Sequence, residues 1–260
     1  MIELLPDSAR PPLEEALAGY RLHGCARLGP VLTEGTLALL RDRCDSILRG
    51  ETDRTGLFFQ ADSETGRYED LPRGLGWQGP SFAYRKIEKL ERDPLFRAFL
   101  ENDLFRRIAQ AVHDGPLALC RAALFNKSAA GGTRLPWHQD GGSFWGLSRD
   151  PVLQIWTALD DTPVEAGCVQ VVPESHARLA TPLGGVIPDD VAERASAVSR
   201  AVDFPARAGE GLLLHNYVWH RSGLNRSGRP RRAFTVCYMS AETRCTRTKR
   251  APRQFPRVFE

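Results

Sequence analysis

The chain has 260 residues, of which 42% are hydrophobic and 26% are charged, with 35 Lys and Arg residues against 32 Asp and Glu residues. This hydrophobic content excludes an intrinsically disordered chain, and the length predicts one large domain with a sizeable core. The net charge of +3 is too small to favour nucleic acid as a partner, because proteins that bind nucleic acid show a concentrated basic field.

Targeting features and cysteines indicate where the protein works. The N-terminal segment has no basic region and carries several early carboxylates, so we do not expect a secretory signal. No apolar stretch is long enough to cross a bilayer, which predicts no membrane partner. The six cysteines are dispersed and form no CxxC motif, a pattern that predicts reduced thiols in a cytoplasmic protein.

The first 116 residues are predicted to be mainly helical. Thr33 can cap a helix that runs to about Arg49, because apolar residues recur at helical spacing and Gly50 follows as a stop signal. A second helical segment is predicted over residues 94–113. Residues 56–85 are rich in Gly, Pro and charge, and they are predicted to form a long loop or lid.

From residue 117 the pattern changes to short runs of β-forming residues bounded by Gly, Pro, Asp or Asn. Five runs are predicted to contain strands: LALCRAALFNK, VLQIWTALDD, GCVQVVPESH, GEGLLLHNYVWHRSG and RRAFTVCYMS. Residues 179–209 are predicted to form a long connection across the mouth of a barrel, with one helix over residues 189–199. The chain is therefore predicted to be α+β, with helices first and a β-sandwich over residues 117–242.

The sequence WHQDGG places a histidine and a carboxylate two residues apart. In a strand, His138 and Asp140 would point to the same face. They would supply two ligands of a 2-His-1-carboxylate iron site, which leaves three metal positions open for a co-substrate and dioxygen. The motif is short and arises often by chance, so this hypothesis requires a second histidine from a distant strand.

Two later histidines are candidates for the third ligand. His215 and His220 lie five residues apart, so on one strand they would face opposite ways and only one would enter the site. The residues alone leave both open. Ser222, Arg231 and Arg232 follow, and an arginine fork with a nearby hydroxyl suits the far carboxylate of a dicarboxylate.

These motifs occur together in an order that resembles the phytanoyl-CoA dioxygenase family of iron(II)- and 2-oxoglutarate-dependent oxygenases. The matching segments span most of residues 120–240 and are FNK (125–127), WHQDGG (137–142), IWTALDD (155–161), GCVQVVPESH (167–176) and HRSGLNRSGRPRRA (220–233). The resemblance implies a double-stranded β-helix, or jelly roll, with helices packed on one face. It also implies that iron(II), 2-oxoglutarate and dioxygen meet at one site.

The resemblance selects the metal ligands. In the family the histidine that precedes the SG dipeptide binds iron, which indicates His220 beside His138 and Asp140. Halogenating relatives replace the carboxylate by a small residue. The presence of Asp140 therefore implies an oxygenase.

The resemblance also assigns the co-substrate contacts. It selects Arg231, eleven positions after His220, over Arg232 as the residue that binds 2-oxoglutarate, and it places Trp156 beside this co-substrate. Gln154 shares a strand face with Trp156, so we expect it to add a second polar contact. The hydroxyl expected to assist the arginine is that of Ser222.

Several polar and aromatic residues near the metal motifs are candidates for contact with the substrate. The candidates near the metal motifs are Gln139, Phe144, Trp145 and Trp219. Aromatic residues of this kind are more often core residues, although Phe144 and Trp145 lie in a Gly-rich turn where packing and substrate contact are equally favoured. Arg85 and Lys86 occupy a region where relatives contribute a basic contact, but a solvated charge cluster is favoured.

The last eighteen residues carry most of the positive charge. They contain six Lys and Arg residues against Glu260 alone, so residues 1–242 are slightly acidic. A solvated or partly disordered tail is favoured over one that binds an anionic substrate or folds across the site.

The sequence thus predicts a single dioxygenase domain over residues 1–260 that oxidises a C–H bond of a small organic molecule. The resemblance implies hydroxylation or oxidative ring closure, as in relatives that tailor glycosylated or antibiotic-like natural products. Two alternatives stay open: a metalloenzyme of the same barrel shape that does not use 2-oxoglutarate, and a binding protein that has kept the barrel.

Overall fold

Two antiparallel β-sheets and a layer of helices make up the fold. They are seen in a computed structural model that describes residues 2–129, 131–248 and 252–260. The helices are α1 (Leu13–His23), α2 (Glu34–Arg49), α3 (Pro94–Leu100), α4 (Asp103–Val112), α5 (Asp189–Arg194) and α6 (Ala197–Arg200). The strands are β1 (Cys25–Pro30), β2 (Phe58–Ala61), β3 (Tyr84–Glu88), β4 (Leu117–Lys127), β5 (Leu135–Gln139), β6 (Leu153–Ala158), β7 (Val169–Val172), β8 (Gly185–Val186), β9 (Val202–Phe204), β10 (Glu210–His215), β11 (Trp219–Ser222), β12 (Arg231–Ser240) and β13 (Arg257–Phe259).

The large sheet has the strand order β1-β10-β6-β12-β4-β3-β2, and β13 also pairs with β4. The small sheet has the order β8-β5-β11-β7-β9. Strands that are neighbours in space are mostly distant in sequence, as in a double-stranded β-helix. The predicted α+β class and jelly-roll architecture are confirmed.

The large sheet is covered on both faces, by helices on the outside and by the small sheet on the inside. The largest apolar cluster packs helices α1 to α4 against the outer face of the large sheet, with Phe96 and Phe234 stacked at 5.2 Å between ring centroids. A second cluster lies between the two sheets and includes Trp156, Val171 and Leu212. Because the inner face of the large sheet is only partly filled by apolar residues, room is left there for polar side chains.

The helix predicted after Thr33 forms as expected. The Thr33 hydroxyl accepts a hydrogen bond from the Thr36 N–H at 3.2 Å, and Gly50 ends the helix with φ of 77°. A hydroxyl at the N-cap satisfies an otherwise unpaired N–H, and glycine takes the left-handed conformation without a Cβ clash.

The second predicted helix is wrong in one respect, because residues 94–113 form two helices. Asn102 interrupts the run, and its side chain accepts a hydrogen bond from the Phe105 N–H at 2.9 Å as the N-cap of α4. The apolar stripe continues across the break, where Phe99 and Phe105 are in contact at 5.2 Å between ring centroids. This continuity hides the break from a periodicity argument.

The N-terminal part holds strands that the sequence did not predict. Strand β1 pairs with β10, and β2 and β3 extend the large sheet beyond β4. Residues 56–85 are therefore a strand at each end with a loop between them. Residues 179–209 hold two short helices and two short strands, in place of a connection with one helix.

The C-terminal tail packs on the large sheet, so the solvated tail that the sequence favoured is wrong for its last residues. Strand β13 pairs with β4, and Phe259 is buried against Tyr238 at 5.4 Å between ring centroids. The apolar positions of β13 stand among charged residues, so the charge pattern of the tail could not reveal this contact. The tail residues 249–251 lie outside the described residues.

Among the described residues, every helix is too short or too polar to cross a membrane.

Candidate metal centre and co-substrate pocket

Three side chains that could bind a metal converge between the two sheets. His138 from β5 and His220 from β11 are direct cross-strand partners, and Asp140 follows the end of β5. Their ligand atoms all lie within 4.8 Å of one another, and the two imidazole centroids are 4.0 Å apart. Two imidazoles and one carboxylate on one side of a centre are the donor set that suits non-haem iron(II).

Backbone carbonyls fix the orientation of both imidazoles. The Nδ1 atom of His138 lies 2.9 Å from the Pro136 carbonyl oxygen, and that of His220 lies 2.9 Å from the Val218 carbonyl oxygen. A carbonyl can only accept, so each Nδ1 donates its proton and each Nε2 is left as a free lone pair. Burial, followed by the neighbouring His220, lowers the pKa of His138 to about 3, which keeps this imidazole neutral.

The Asp140 carboxylate is oriented from the large sheet. Its Oδ2 accepts hydrogen bonds from Gln154 Nε2 at 2.8 Å and from Arg121 Nη2 at 3.0 Å. Burial raises the pKa of Asp140, but the charge of Arg121, the two imidazoles and the hydrogen bond from Gln154 together outweigh burial and hold the pKa below its usual range. The carboxylate is therefore ionised and held in one orientation.

The turn after Asp140 is held by a second carboxylate. Asp150 Oδ2 accepts hydrogen bonds from the Gly142 N–H at 2.6 Å and from the Tyr217 hydroxyl at 2.7 Å. Gly142 has φ of 85° and ψ of −178°, a conformation that essentially only glycine adopts. A Cβ at this position would lie 2.6 Å from the Leu183 carbonyl oxygen, so the turn requires glycine.

A buried arginine faces the same cavity from β12. Arg231 is 3% exposed and lies over the Trp156 ring at 5.3 Å. It donates one hydrogen bond to the Gly167 carbonyl at 2.9 Å, while its Nε is buried without a partner among the described residues. Burial lowers the pKa of Arg231 to about 10. A buried cation that lacks a carboxylate fits an anionic ligand group.

The neighbouring arginine has a different role. Arg232 points to the other face of β12, where it donates to both oxygens of Asp160 at 2.8 and 2.9 Å and also contacts Asp45. This fully paired group joins β12 to α2 and holds the end of β6. Because the two arginines are adjacent on one strand, they point to opposite faces. Arg231 faces the cavity, whereas Arg232 forms a structural ion pair.

The structure adds cavity residues that the sequence analysis missed. Thr235 lies on the same face of β12 as Arg231, and its buried hydroxyl has no partner among the described residues. Thr235 lies four positions after Arg231 on one strand, and this even spacing predicts that both side chains share a face. Arg121 was also missed, although a charge in the middle of the apolar run LALCRAALF was a signal of a buried ionic role.

Arg85 and Lys86 do not form the solvated cluster that the sequence favoured. Both line the cavity, the Lys86 side chain is 11% exposed, and its ammonium pairs with Glu88 at 2.6 Å. Burial lowers the pKa of Lys86 to about 8. Because β3 joins the large sheet next to β4, both residues lie against the cavity.

The other candidate site residues divide into two groups. Ser222, Gln154 and Trp156 line the cavity, as do Phe144 and Trp145. The Gln154 amide, however, is committed to Asp140 and Arg121, so its observed partners are not those of a co-substrate contact.

The two remaining substrate candidates differ in position. Trp219 packs in an apolar cluster with Trp137, away from the cavity. Gln139 lines the cavity, but its amide bonds the main chain of Arg178, Ala180 and Tyr217, so its polar groups are already satisfied.

His215, the alternative third ligand, lies apart from the centre. The run that holds both histidines folds as two strands, β10 and β11, instead of the single strand assumed from the sequence. His215 accepts a hydrogen bond from the Tyr217 N–H at 3.0 Å and packs against His176 and Tyr20.

Known proteins resemble this chain in sequence and in fold. The phytanoyl-CoA dioxygenase (PhyH) family model matches residues 20–233. Phytanoyl-CoA dioxygenase domain-containing protein 1 of Mus musculus is 28% identical over 158 residues, which cover 57% of this chain and 54% of the mouse protein. The chain thus matches about half the length of this curated relative.

Solved structures share the fold. AviO1 from Streptomyces viridochromogenes superposes with a TM-score of 0.64 at 24% identity, over 88% of this chain and 95% of that one. The epimerase SnoN, solved in complex with Fe3+, alpha ketoglutarate and nogalamycin RO, superposes with a TM-score of 0.71 at 21% identity, over 91% of this chain and 87% of that one. The family match, which covers most of the chain, shows that the protein belongs to the phytanoyl-CoA dioxygenase family of iron(II)- and 2-oxoglutarate-dependent dioxygenases.

Proposed function

We propose that this chain oxidises a C–H bond of a small organic molecule, by hydroxylation or oxidative ring closure, in secondary metabolism. The substrate class we infer is a glycosylated or antibiotic-like natural product, processed in the cytoplasm. One observation carries the reaction class. The three candidate ligands His138, Asp140 and His220 line the same cavity as the buried cation Arg231.

The residues present fit both iron(II) and 2-oxoglutarate. His138, Asp140 and His220 would hold the metal, because their free lone pairs and ionised carboxylate face one centre. Arg231 would bind the far carboxylate of 2-oxoglutarate through its fork, with Ser222 and Thr235 as hydroxyl donors on the same cavity wall. When bound, iron(II) and 2-oxoglutarate together with dioxygen supply the oxidising power, and 2-oxoglutarate leaves as succinate and carbon dioxide.

The chain itself positions these groups. The carbonyls of Pro136 and Val218 hold the imidazoles in the tautomer that presents Nε2 to the centre. Trp156 forms an apolar wall beside Arg231, which keeps water from the buried guanidinium.

The cavity size and the structural neighbours support a small organic substrate. The cavity has a volume of about 550 Å³, within the range that binds small molecules. The SnoN structure contains nogalamycin RO, which motivates the natural-product class proposed for this chain.

Release of succinate tests the proposal. We expect purified protein with iron(II), 2-oxoglutarate and dioxygen to form succinate slowly even without a substrate, and faster with one. His220→Ala should abolish this release, whereas Arg229→Gln, a change at an exposed loop residue, should leave it unchanged.

Two outcomes would refute the proposal. The first is the absence of succinate together with iron binding that 2-oxoglutarate does not tighten. The second is turnover supported by zinc without 2-oxoglutarate, which would identify a metalloenzyme of another class.

A further inference from the structure

The cavity carries far more positive than negative charge. Eight Lys and Arg side chains line it, against two carboxylates. Both carboxylates are already paired, Glu88 with Lys86 at 2.6 Å and Asp140 with Arg121 at 3.0 Å. Even after one arginine is assigned to 2-oxoglutarate, positive charge remains without a partner.

Two of the remaining cations come from the tail. Arg247 donates to the Phe144 carbonyl, and Arg253 donates to the Trp145 carbonyl at 2.6 Å. Neither guanidinium has a carboxylate within 4.0 Å among the described residues. Each donates to one main-chain carbonyl, and Arg253 also lies beside the Cys245 thiol. A guanidinium has five N–H donors, so several donors of each arginine are left for a ligand.

The backbone fixes the first of these arginines at the cavity. The Thr246 N–H donates to the Gly146 carbonyl at 2.9 Å, and the Ser148 N–H donates to the Arg244 carbonyl at 2.8 Å. The tail therefore runs along the segment that follows the metal-binding turn. Strand β13 anchors the chain again after Arg253.

Aromatic rings lie beside these cations. Phe144 is 61% exposed, and the Arg247 guanidinium lies 6.0 Å from its centroid. Trp145 also contacts Arg121, whose guanidinium lies 4.9 Å from the ring centroid and bonds the metal ligand Asp140. An exposed aromatic ring and two free guanidiniums together suit a molecule with an apolar body and an anionic group.

We propose that the substrate carries a carboxylate or phosphate group that Arg247 and Arg253 bind, while its apolar body lies against Phe144 and Trp145. This inference rests on the proposed function, because it names the substrate class of that same site. The separate position of Arg231 on β12 would keep the anion of the substrate distinct from that of 2-oxoglutarate.

Binding of simple probes tests the proposal. Binding would be measured by tryptophan fluorescence under nitrogen, which prevents turnover. Iron(II) and saturating 2-oxoglutarate would be present, so that 2-oxoglutarate occupies Arg231. The probes are 3-phenylpropionate, 2-phenylethyl phosphate and the neutral 3-phenylpropionamide. The two anions separate a carboxylate from a phosphate preference, and the amide measures binding without charge.

We expect at least one anion to bind about tenfold or more tightly than the amide, since charge-assisted hydrogen bonds are worth that much. Arg247→Gln and Arg253→Gln should each weaken binding of that anion about tenfold. The matched control is Arg244→Gln, which removes an exposed charge from the same tail outside the cavity lining.

Equal binding of the amide, unchanged affinity in both cavity variants, or no binding of either anion would overturn the inference. Succinate release by the unaltered enzyme without a probe is measured in parallel. If that release is absent, the proposed function fails; if it is present and the anions are not preferred, only the substrate inference fails.

Discussion

Exchanging each of the two adjacent arginines on β12 for methionine should produce opposite defects. Arg232→Met removes a buried cation that bonds both oxygens of Asp160 and also contacts Asp45. Breaking a buried ion pair costs about 3–5 kcal/mol, because an uncompensated charge remains. Arg41, 3.4 Å from Asp160, would offset part of this, so we expect a loss of about 3 kcal/mol of unfolding free energy.

Arg231→Met should have a small effect on stability. The arginine makes one hydrogen bond, to the Gly167 carbonyl, and burying its charge has its own energetic penalty. Its loss should instead weaken 2-oxoglutarate binding by about 3 kcal/mol, or more than a hundredfold, since two charge-assisted hydrogen bonds to a carboxylate would disappear.

The assay combines thermal unfolding without ligand and the KM for 2-oxoglutarate in succinate release. A loss of about 3 kcal/mol should lower the Tm of Arg232→Met by roughly 6–12 °C, while Arg231→Met changes it by a few degrees at most. If Arg232→Met raised the KM for 2-oxoglutarate more than Arg231→Met did, with little change in Tm, the assignment by strand face would be refuted.

Three further changes test separate parts of the site. Gln154→Leu should weaken metal binding about 10- to 100-fold in a chelator competition, because Asp140 loses a donor that orients it. Gly142→Ala should lower the unfolding free energy by about 2 kcal/mol or more in urea, through backbone strain and the approach to Leu183. Burial lowers the pKa of His215 to about 4, so the stability that this neutral imidazole contributes above pH 6.5 should be lost progressively as the pH falls toward 4.

Each change has a matched control. Gln254→Leu alters an exposed amide outside the cavity, and equal loss of metal affinity there would contradict the orienting role of Gln154. Gly228→Ala tests the same positive-φ substitution in open space, so an equal loss would show that contact with Leu183 is unimportant. His215→Asn can still accept a bond at this position but does not titrate, and an unchanged pH profile in this variant would refute the role of His215.

The common placement of His138 and Asp140 was predictable because strand parity and short spacing decide it. His138 and Asp140 stand two apart on an alternating segment, so their common face follows from backbone geometry. The partnership with His220 depends on the register of β5 against β11, which no local pattern encodes. It came from the family resemblance, as did the choice of Arg231.

The hydrogen-bond partners of a side chain were less predictable than the strand face on which it lies. Parity placed Gln154 beside Trp156 correctly, yet the partners of its amide depend on Arg121, a residue on another strand. Strands β1 to β3 were missed because helical signals dominate the first 116 residues and tertiary pairing determines these short segments. In the tail, seven charged residues hid the apolar contact of Phe259.

The cross-strand pairing of His138 with His220 would link binding of the proposed metal to folding. The two imidazoles are 82 positions apart in sequence and adjacent only when β5 and β11 are paired, so the unfolded chain offers no comparable site. A metal that binds only the folded form stabilises it by mass action, by about 2.7 kcal/mol at a free concentration one hundred times its Kd. Iron supply would then affect the stability of the fold as well as the rate of turnover.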